Sequence, residues 1–317
     1  MIRALKNTTI AILAAALLNV LLVAAVYAGP KVGVIIPELR APFKVIFDTV
    51  GSGIDNGLNK RSPRLVLSKD YDPRSISDWI KKEKINAVIT LGSAGQRATV
   101  YIPNNIPVVL GSLLSSPGPT NKFPGVALTP NPKSLFALLK SLDNQRSKVV
   151  VVYNPAKNQW IVDLAKRQAV ANGIQLVAYK ATDVKQAAII YNNIFDGSEL
   201  DSTAIWLLQD RKVVDSKVVL PFVLEQAWQK KIVVFSSALS HVKKGVLFSM
   251  YPDNESHGKQ LAELMLKQSE SSKLLGNQLH PTEGLRDAIN SRTAEHLGLS
   301  ISRSELREFD VVFPLSN

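Results

Sequence analysis

Short apolar runs rich in Val and Ile alternate along this chain with segments of helical periodicity. Two of these runs have the length and composition of buried parallel strands, namely 31–37 (KVGVIIP) and 85–91 (INAVITL). Segment 42–58 repeats apolar residues every three or four positions, which predicts an amphipathic helix. Strand–helix–strand units form parallel sheets with helices on both faces, so the alternation predicts an α/β fold.

The alternation pauses in a stretch rich in Ser, Pro and Gly at 112–129 and then begins again. Two blocks, about 30–128 and 129–250, therefore predict two doubly wound parallel-sheet lobes. A chain of 317 residues is long enough for two domains of about 100–200 residues each. We predict further strands at 64–67, 106–110, 148–153, 174–179, 203–208, 232–235 and 245–249, and further helices at 75–84, 132–142, 159–171, 184–195, 218–230 and 257–268.

Residues 1–28 have the three-part layout of a secretory signal peptide. Two basic residues precede an apolar run at 10–26, and small or β-branched residues stand at the −1 and −3 positions before Gly29. We expect cleavage and a periplasmic location. The alternative is a retained anchor, since the run is close to the roughly 18–20 residues that span a bilayer.

Composition excludes several classes of protein. The chain has no cysteine, which excludes disulfides, thiolate catalysis and Cys-based zinc sites. Its formal net charge is +12, and removal of the two basic residues of the signal leaves 12 − 2 = +10. A positive chain suits an anionic partner, but export argues against nucleic acid.

Motifs for cofactors, metals and catalysis are not recognisable. Gly51, Gly53 and Gly57 resemble a dinucleotide loop but have the wrong spacing and lie within a predicted helix. Segment 253–258 (DNESHG) fails as a calcium loop and reads as a helix N-cap. The four histidines are scattered, and we expect them at the surface. We predict no cofactor, no metal and no enzymatic activity.

Four segments, in order, resemble the ABC-transporter substrate-binding proteins of the tryptophan/tyrosine-binding type. They are INAVITLGSAGQRAT (85–99), KVVVVYNPAKNQW (148–160), LFSMYPDNESHGKQLAELM (247–265) and AINSRTAEHLGLSISRSELREFDVVF (288–313). The chain departs from the family at Ser115-Ser116-Pro117, where an aspartate–proline pair is usual, and it lacks the family's aspartate-rich segment after the first strand. The ligand therefore need not be an aromatic amino acid.

The resemblance implies a type I periplasmic-binding-protein fold with a hinge near 128–131, 249–252 and 279–283. Lobe 1 would comprise 30–128 plus 252–280, and lobe 2 would comprise 129–251 plus 281–317. It also implies a monomer that closes around a small-molecule ligand and presents it to a membrane permease.

Ligands of open α/β sheets bind beyond the carboxyl ends of the strands, so we place the site in the cleft between the lobes. On the lobe 1 side, Glu38 suits a ligand amine, Arg40 an acid and Phe43 a ring face. The segment from Ser93 to Gln96 offers a hydroxyl and free N–H groups at a helix start, which suits a carboxylate, although an ordinary turn explains it equally well. The lobe 1 candidates are Glu38, Arg40, Phe43, Ser93, Ala94, Gln96 and Ser112.

On the lobe 2 side, Asp210 ends a strand and is a partner for a ligand amine, matching the family's aspartate at that place. Trp160 suits an aromatic wall, with core packing as the alternative. The lobe 2 candidates are Asn154, Asn158, Trp160, Asp210, Ser236 and Ser237.

The leading hypothesis is a periplasmic solute-binding component of an ABC importer for an amino-acid-like or carboxylate-bearing ligand. The alternative is a ligand-sensing partner of a membrane receptor without transport. A secreted enzyme is the third and least favoured possibility, because no nucleophile is clustered with titratable groups.

Overall fold

The computed structural model describes residues 29–114, 121–198, 200–271 and 276–315. The predicted signal peptide and the Ser115–Pro117 departure lie outside these residues. The described chain forms two sheets, of six and seven strands, flanked by helices. This confirms the predicted α/β class.

The first sheet has parallel neighbours throughout its described strands. With elements numbered in chain order, it contains β1 (Val32–Pro37), β2 (Arg64–Leu67), β3 (Ala87–Leu91), β4 (Val108–Leu113), β5 (Gly125–Pro130) and β11 (Leu279–Thr282). Their order is β11-β5-β4-β3-β1-β2. Helices α1 (Phe43–Gly57) and α9 (Asn254–Glu270) cover one face, and α2 (Arg74–Lys82) and α3 (Gly92–Ala98) cover the other.

The second sheet contains β6 (Lys148–Tyr153), β7 (Gln175–Lys180), β8 (Thr203–Leu207), β9 (Val233–Ser236), β10 (Phe248–Pro252), β12 (Leu285–Asn290) and β13 (Val311–Phe313). Their order is β13-β12-β10-β9-β8-β6-β7. β12 runs antiparallel to β10, and the other pairs described are parallel. One face packs against α4 (Pro132–Leu142), α5 (Pro155–Ala171), α10 (Ser291–His296) and α11 (Arg303–Leu306), and the other against α6 (Val184–Phe195) and α7 (Val219–Gln229). The short α8 (Leu239–Val242) lies beside β10 and β12.

Glycines set the distance between α1 and α9. A Cβ atom added at Gly53 would collide with the carbonyl oxygen of Glu255, and one added at Gly258 would collide with that of Val50. The two backbones therefore touch. Of the three glycines that resembled a dinucleotide loop, Gly53 and Gly57 serve this helix packing, whereas Gly51 lies against the Arg64 side chain. The contact buries Ile54 and Leu261 in one apolar cluster.

Three crossovers join the sheets along one edge. β5 leads through Asn131 into α4, β10 leads through Asp253 into α9, and β11 is separated from β12 by two residues. Strands β5 and β10 are in contact with each other. β11 runs parallel to β5, and β12, which starts after the two-residue connection, runs antiparallel to β10. The carboxyl ends of both sheets therefore face one another.

Element boundaries follow local caps. Predicted helix 159–171 starts earlier, at Pro155, because Asn154 caps it and proline suits the first helical position. The strand predicted at 245–249 is wrong in position: Gly245, with φ of +114°, closes the turn after α8, and β10 spans Phe248–Pro252. None of the helices in the described part of the chain combines the length and apolar character that a membrane crossing requires.

Candidate functional site

The loop after β1 forms an exposed rim of the first sheet. Glu38 and Arg40 are exposed there, and Phe43 opens α1 with 60% of its side chain exposed. A helical period of 3.6 residues puts Phe43 on the same side of α1 as Val50 and Ile54. Those two are buried but Phe43 is not, so its ring is available to a ligand.

The segment after β3 turns sharply into α3. Gly92 adopts φ of +69°, which a side chain disfavours, and a Cβ atom added there would lie 3.3 Å from the Phe47 ring. This turn places Ser93 at the surface, while Ala94 and Gln96 are half-buried. β1, β3 and β4 are neighbours, so these residues and the β1 loop share one rim.

Ser112 is hydrogen-bonded within the first sheet and the helix that covers it. It is buried with φ of +56°, and its backbone N–H donates to Nε2 of His257 at 3.2 Å. Because a backbone N–H can only donate, Nε2 accepts and Nδ1 carries the proton toward Thr282 Oγ1, 3.1 Å away.

His257 contradicts the expectation that the histidines lie at the surface. It is fully buried, and burial lowers its pKa to about 4. Its hydroxyl partners come from distant parts of the chain, which sequence spacing does not reveal.

Asp210 and Asn158 meet at the rim of the second sheet. Asn158 Nδ2 donates to Asp210 Oδ2 at 2.9 Å, and the Lys212 backbone N–H donates to Asp210 Oδ1 at 2.9 Å. Both side chains are buried, with Asp210 4% exposed. Asn154 caps α5 by accepting from the Ala156 N–H, and this places Asn158 one turn into the helix.

Ser236 and Ser237 lie at the end of β9, next to β8. Ser237 Oγ accepts from the indole Nε1 of Trp206 at 3.0 Å. Ser236 Oγ lies 3.0 Å from the Leu207 carbonyl oxygen, to which it donates, and 2.8 Å from His241 Nδ1. Burial, aided by Lys244, lowers the pKa of His241 to about 4, so this ring is neutral at pH 7. These bonds hold the serines in place beside Asp210.

Trp160 lies away from this group, at the seam between α5 and β11. It lines a cavity of about 460 Å³ together with Asn131, Gln168 and Glu283. Its ring packs against the core of the second sheet, and its Nε1 is buried without a hydrogen-bond partner among the described residues. The seam is closed by a bond from Asn131 Nδ2 to Glu283 Oε1 at 2.8 Å.

A second cavity, of about 670 Å³, lies beside α9 and β11. Gln260, Leu264 and His280 line it. Sequence reasoning missed it because α9 and β11 come together only in the folded chain. In the described residues no cluster of three or more His, Asp or Glu side chains could hold a metal ion.

Comparison with known proteins decides the family. A model of ABC transporter substrate-binding proteins matches residues 72–308. The chain belongs to this family. The resemblance drawn from its four sequence segments is thereby confirmed, together with the type I periplasmic-binding-protein fold. No curated protein matches the chain significantly.

Solved structures share the fold of this substrate-binding protein. A ligand-free, open substrate-binding protein with adhesive properties from Clostridium difficile is 18% identical, with a TM-score of 0.60, over 89% of this chain and 99% of that one. An ABC domain from Streptococcus pneumonia in complex with L-Trp is 17% identical, with a TM-score of 0.53, over 90% and 100%. A conserved domain protein from Vibrio cholerae is 21% identical, with a TM-score of 0.52, over 89% and 99%.

Proposed function

We propose that this chain is the periplasmic solute-binding component of an ABC importer and that it captures a small amino-acid-like ligand between two closing lobes. We take the lobes to be the two sheets with their helices, which correspond to the predicted ranges 30–128 plus 252–280 and 129–251 plus 281–317 except that the last residues of β5, β10 and β11 stay with their own sheets. Family membership supports a solute-binding role. The three crossovers along one edge support hinge closure, because they leave the opposite side of the facing rims free to approach.

The observation that carries the ligand proposal is the carboxylate of Asp210. An ionised carboxylate has about four acceptor sites, and the Asn158 amide and the Lys212 N–H occupy two of them. A buried carboxylate needs a compensating charge or further donors. A ligand ammonium group supplies both, and Asn158 aims the carboxylate at it.

The facing rim offers the complementary chemistry. Arg40 is an exposed cation in none of the described ion pairs, and Ser93 presents an exposed hydroxyl. A ligand carboxylate there and an ammonium group at Asp210 describe an amino acid held across the cleft. Phe43 adds an aromatic face for its side chain.

A thermal-shift screen of amino acids, followed by isothermal titration, tests the ligand class. A ligand at one hundred times its Kd stabilises the folded chain by about 2.7 kcal/mol. Asp210→Asn should weaken binding at least about thirtyfold, since it removes one charge of a buried pair. Asp196→Asn, which changes an exposed carboxylate on the far end of α6, is the matched control. Unchanged affinity in Asp210→Asn contradicts the assignment.

Uptake of the identified ligand tests the importer. Cells that lack the chain should lose uptake at low ligand concentration and regain it from a plasmid copy but not from Asp210→Asn. Normal uptake without the chain, together with tight binding in vitro, favours the ligand-sensing alternative. N-terminal sequencing of the exported protein tests cleavage before Gly29.

A further inference from the structure

Three segments meet at the end of the first sheet opposite the cleft rim. They are the start of the described chain at 29–31, the turn 58–63 after α1, and the turn 81–86 around the end of α2. Lys60 Nζ donates to the Pro30 carbonyl oxygen at 2.6 Å, and the Asn86 N–H donates to that of Lys31 at 3.1 Å. These bonds place the segments side by side at the amino ends of β1, β2 and β3.

This end of the sheet is strongly basic. The three segments hold six basic side chains and one acidic side chain, Glu83. All six basic side chains are exposed, and none takes part in an ion pair within the described part of the chain. We call them the basic pole: Lys31, Lys60, Arg61, Lys81, Lys82 and Lys84.

Local structure keeps these charges available. Asp55, near the end of α1, is already bound by Arg64 at 2.8 Å and by the Ser62 N–H at 2.9 Å. Lys84, the second residue after α2, has φ of +52° and an exposed side chain. The six basic residues and Glu83 carry a net charge of 6 − 1 = +5, and the whole chain carries a formal net charge of +12. The pole therefore accounts for much of the chain's basic character.

The position of the pole identifies its partner. The apolar run 10–26 joins the described chain at Gly29, two residues before Lys31. The pole is therefore the part of the fold that directly follows the predicted membrane-passing segment, and a retained segment would hold it at the bilayer. We propose that the basic pole binds the anionic headgroups of a phospholipid bilayer.

The strength expected of such a surface follows from its charge. Each basic residue close to an anionic bilayer strengthens binding about fivefold, and salt screens the attraction. Strand β1 rises about 3.3 Å per residue over its six residues, so a bound pole holds the cleft rim about 20 Å above the headgroups. The proposal does not depend on the identity of the ligand.

Vesicle binding tests it. The full chain is expressed with its own N-terminal segment, and the exported product is sedimented with phosphatidylcholine vesicles or with mixed phosphatidylcholine–phosphatidylglycerol vesicles. If the N-terminal segment is retained, Arg3 and Lys6 also favour anionic headgroups. The charge-reversal variant, compared in mixed vesicles with its matched control, therefore isolates the basic pole. We expect preference for the mixed vesicles, lost on raising the salt concentration. The triple variant Lys31→Glu, Arg61→Glu, Lys84→Glu should lower binding to mixed vesicles at least about a hundredfold.

The matched control reverses three exposed lysines elsewhere: Lys230→Glu, Lys231→Glu, Lys243→Glu. It changes the net charge equally and also includes one lysine, Lys231, at φ of +52°. Circular dichroism and the melting temperature establish that both triple variants fold. Equal loss in the control, equal binding to neutral vesicles, or tighter binding to duplex DNA than to mixed vesicles overturns the proposal.

Discussion

The close contact between α1 and α9 makes a quantitative prediction for Gly258→Ala. The added Cβ would lie 2.1 Å from the Val50 carbonyl oxygen, whereas ordinary contact begins at 3.4 Å, so the helices must separate by at least 3.4 − 2.1 = 1.3 Å. A gap of this size forfeits about half or more of the dispersion energy across the contact. Overpacking of this kind costs about 3 kcal/mol at the upper end, and the better helix propensity of alanine returns about 1 kcal/mol.

The expected net loss is about 2 kcal/mol, or a melting temperature lower by about 4–8 °C. Differential scanning calorimetry measures it and also resolves the two halves of the molecule if they unfold separately. Ser52→Ala, on the exposed face of α1, is the control and should stay within about 0.5 kcal/mol of the wild type. A more stable Gly258→Ala variant would show that propensity outweighs packing and would refute the backbone contact.

Three further predictions concern the buried polar groups. The pKa of His257 is about 4 in the fold but near 6.5 when unfolded, so the unfolded chain binds the extra proton and the contribution of His257 to the free energy of unfolding falls by about 2 kcal/mol between pH 7.5 and pH 5. His241, whose pKa is also lowered to about 4, adds a separate fall. Urea unfolding should show this fall and its reduction in His257→Gln; an unchanged pH slope contradicts it. Asn158→Leu removes an amide donor from the buried carboxylate of Asp210 and should cost about 1–3 kcal/mol in calorimetry, with no loss arguing against the bond. Asn131→Ala removes both the cap of α4 and the bond to Glu283 and should lower the free energy of unfolding by about 1–2 kcal/mol. Asn131→Ser keeps the cap and should lower it by about half as much. Equal losses in the two variants would mean that the cap contributes nothing.

Sequence patterns within single helices and strands were sufficient to predict most of the fold. Helix α6 was predicted with the bounds it has, because Asp183 provides the N-cap and accepts from the Gln186 N–H. The N-cap role predicted for segment 253–258 is also confirmed, since Asp253 accepts from the Ser256 N–H and begins α9. The start of β10 was predicted less well. The apolar run indicates that a strand is present, but the turn at Gly245 determines where the strand starts.

The contacts within the candidate site were harder to predict from the sequence. The meeting of Asn158 with Asp210 follows from strand order, which places β6 beside β8, and no spacing along the chain encodes it. The burial of His257 depends on Thr282 and Ser112, which are 25 and 145 positions away. The ligand roles of the thirteen candidate residues stay predictions until binding is measured.

The pairing of α1 with α9 also determines when the molecule can fold during synthesis. α9 begins 254 − 57 = 197 residues after α1 ends, although it covers α1 and the same face of the first sheet. At about 5–20 residues per second, a ribosome needs roughly 10–40 s to cover that separation. For this interval the side of α1 that packs against α9 has no native cover. The first sheet therefore cannot complete its core before α9 is made, and a chain truncated before residue 254 loses Leu261, Ala262 and Met265 from that core.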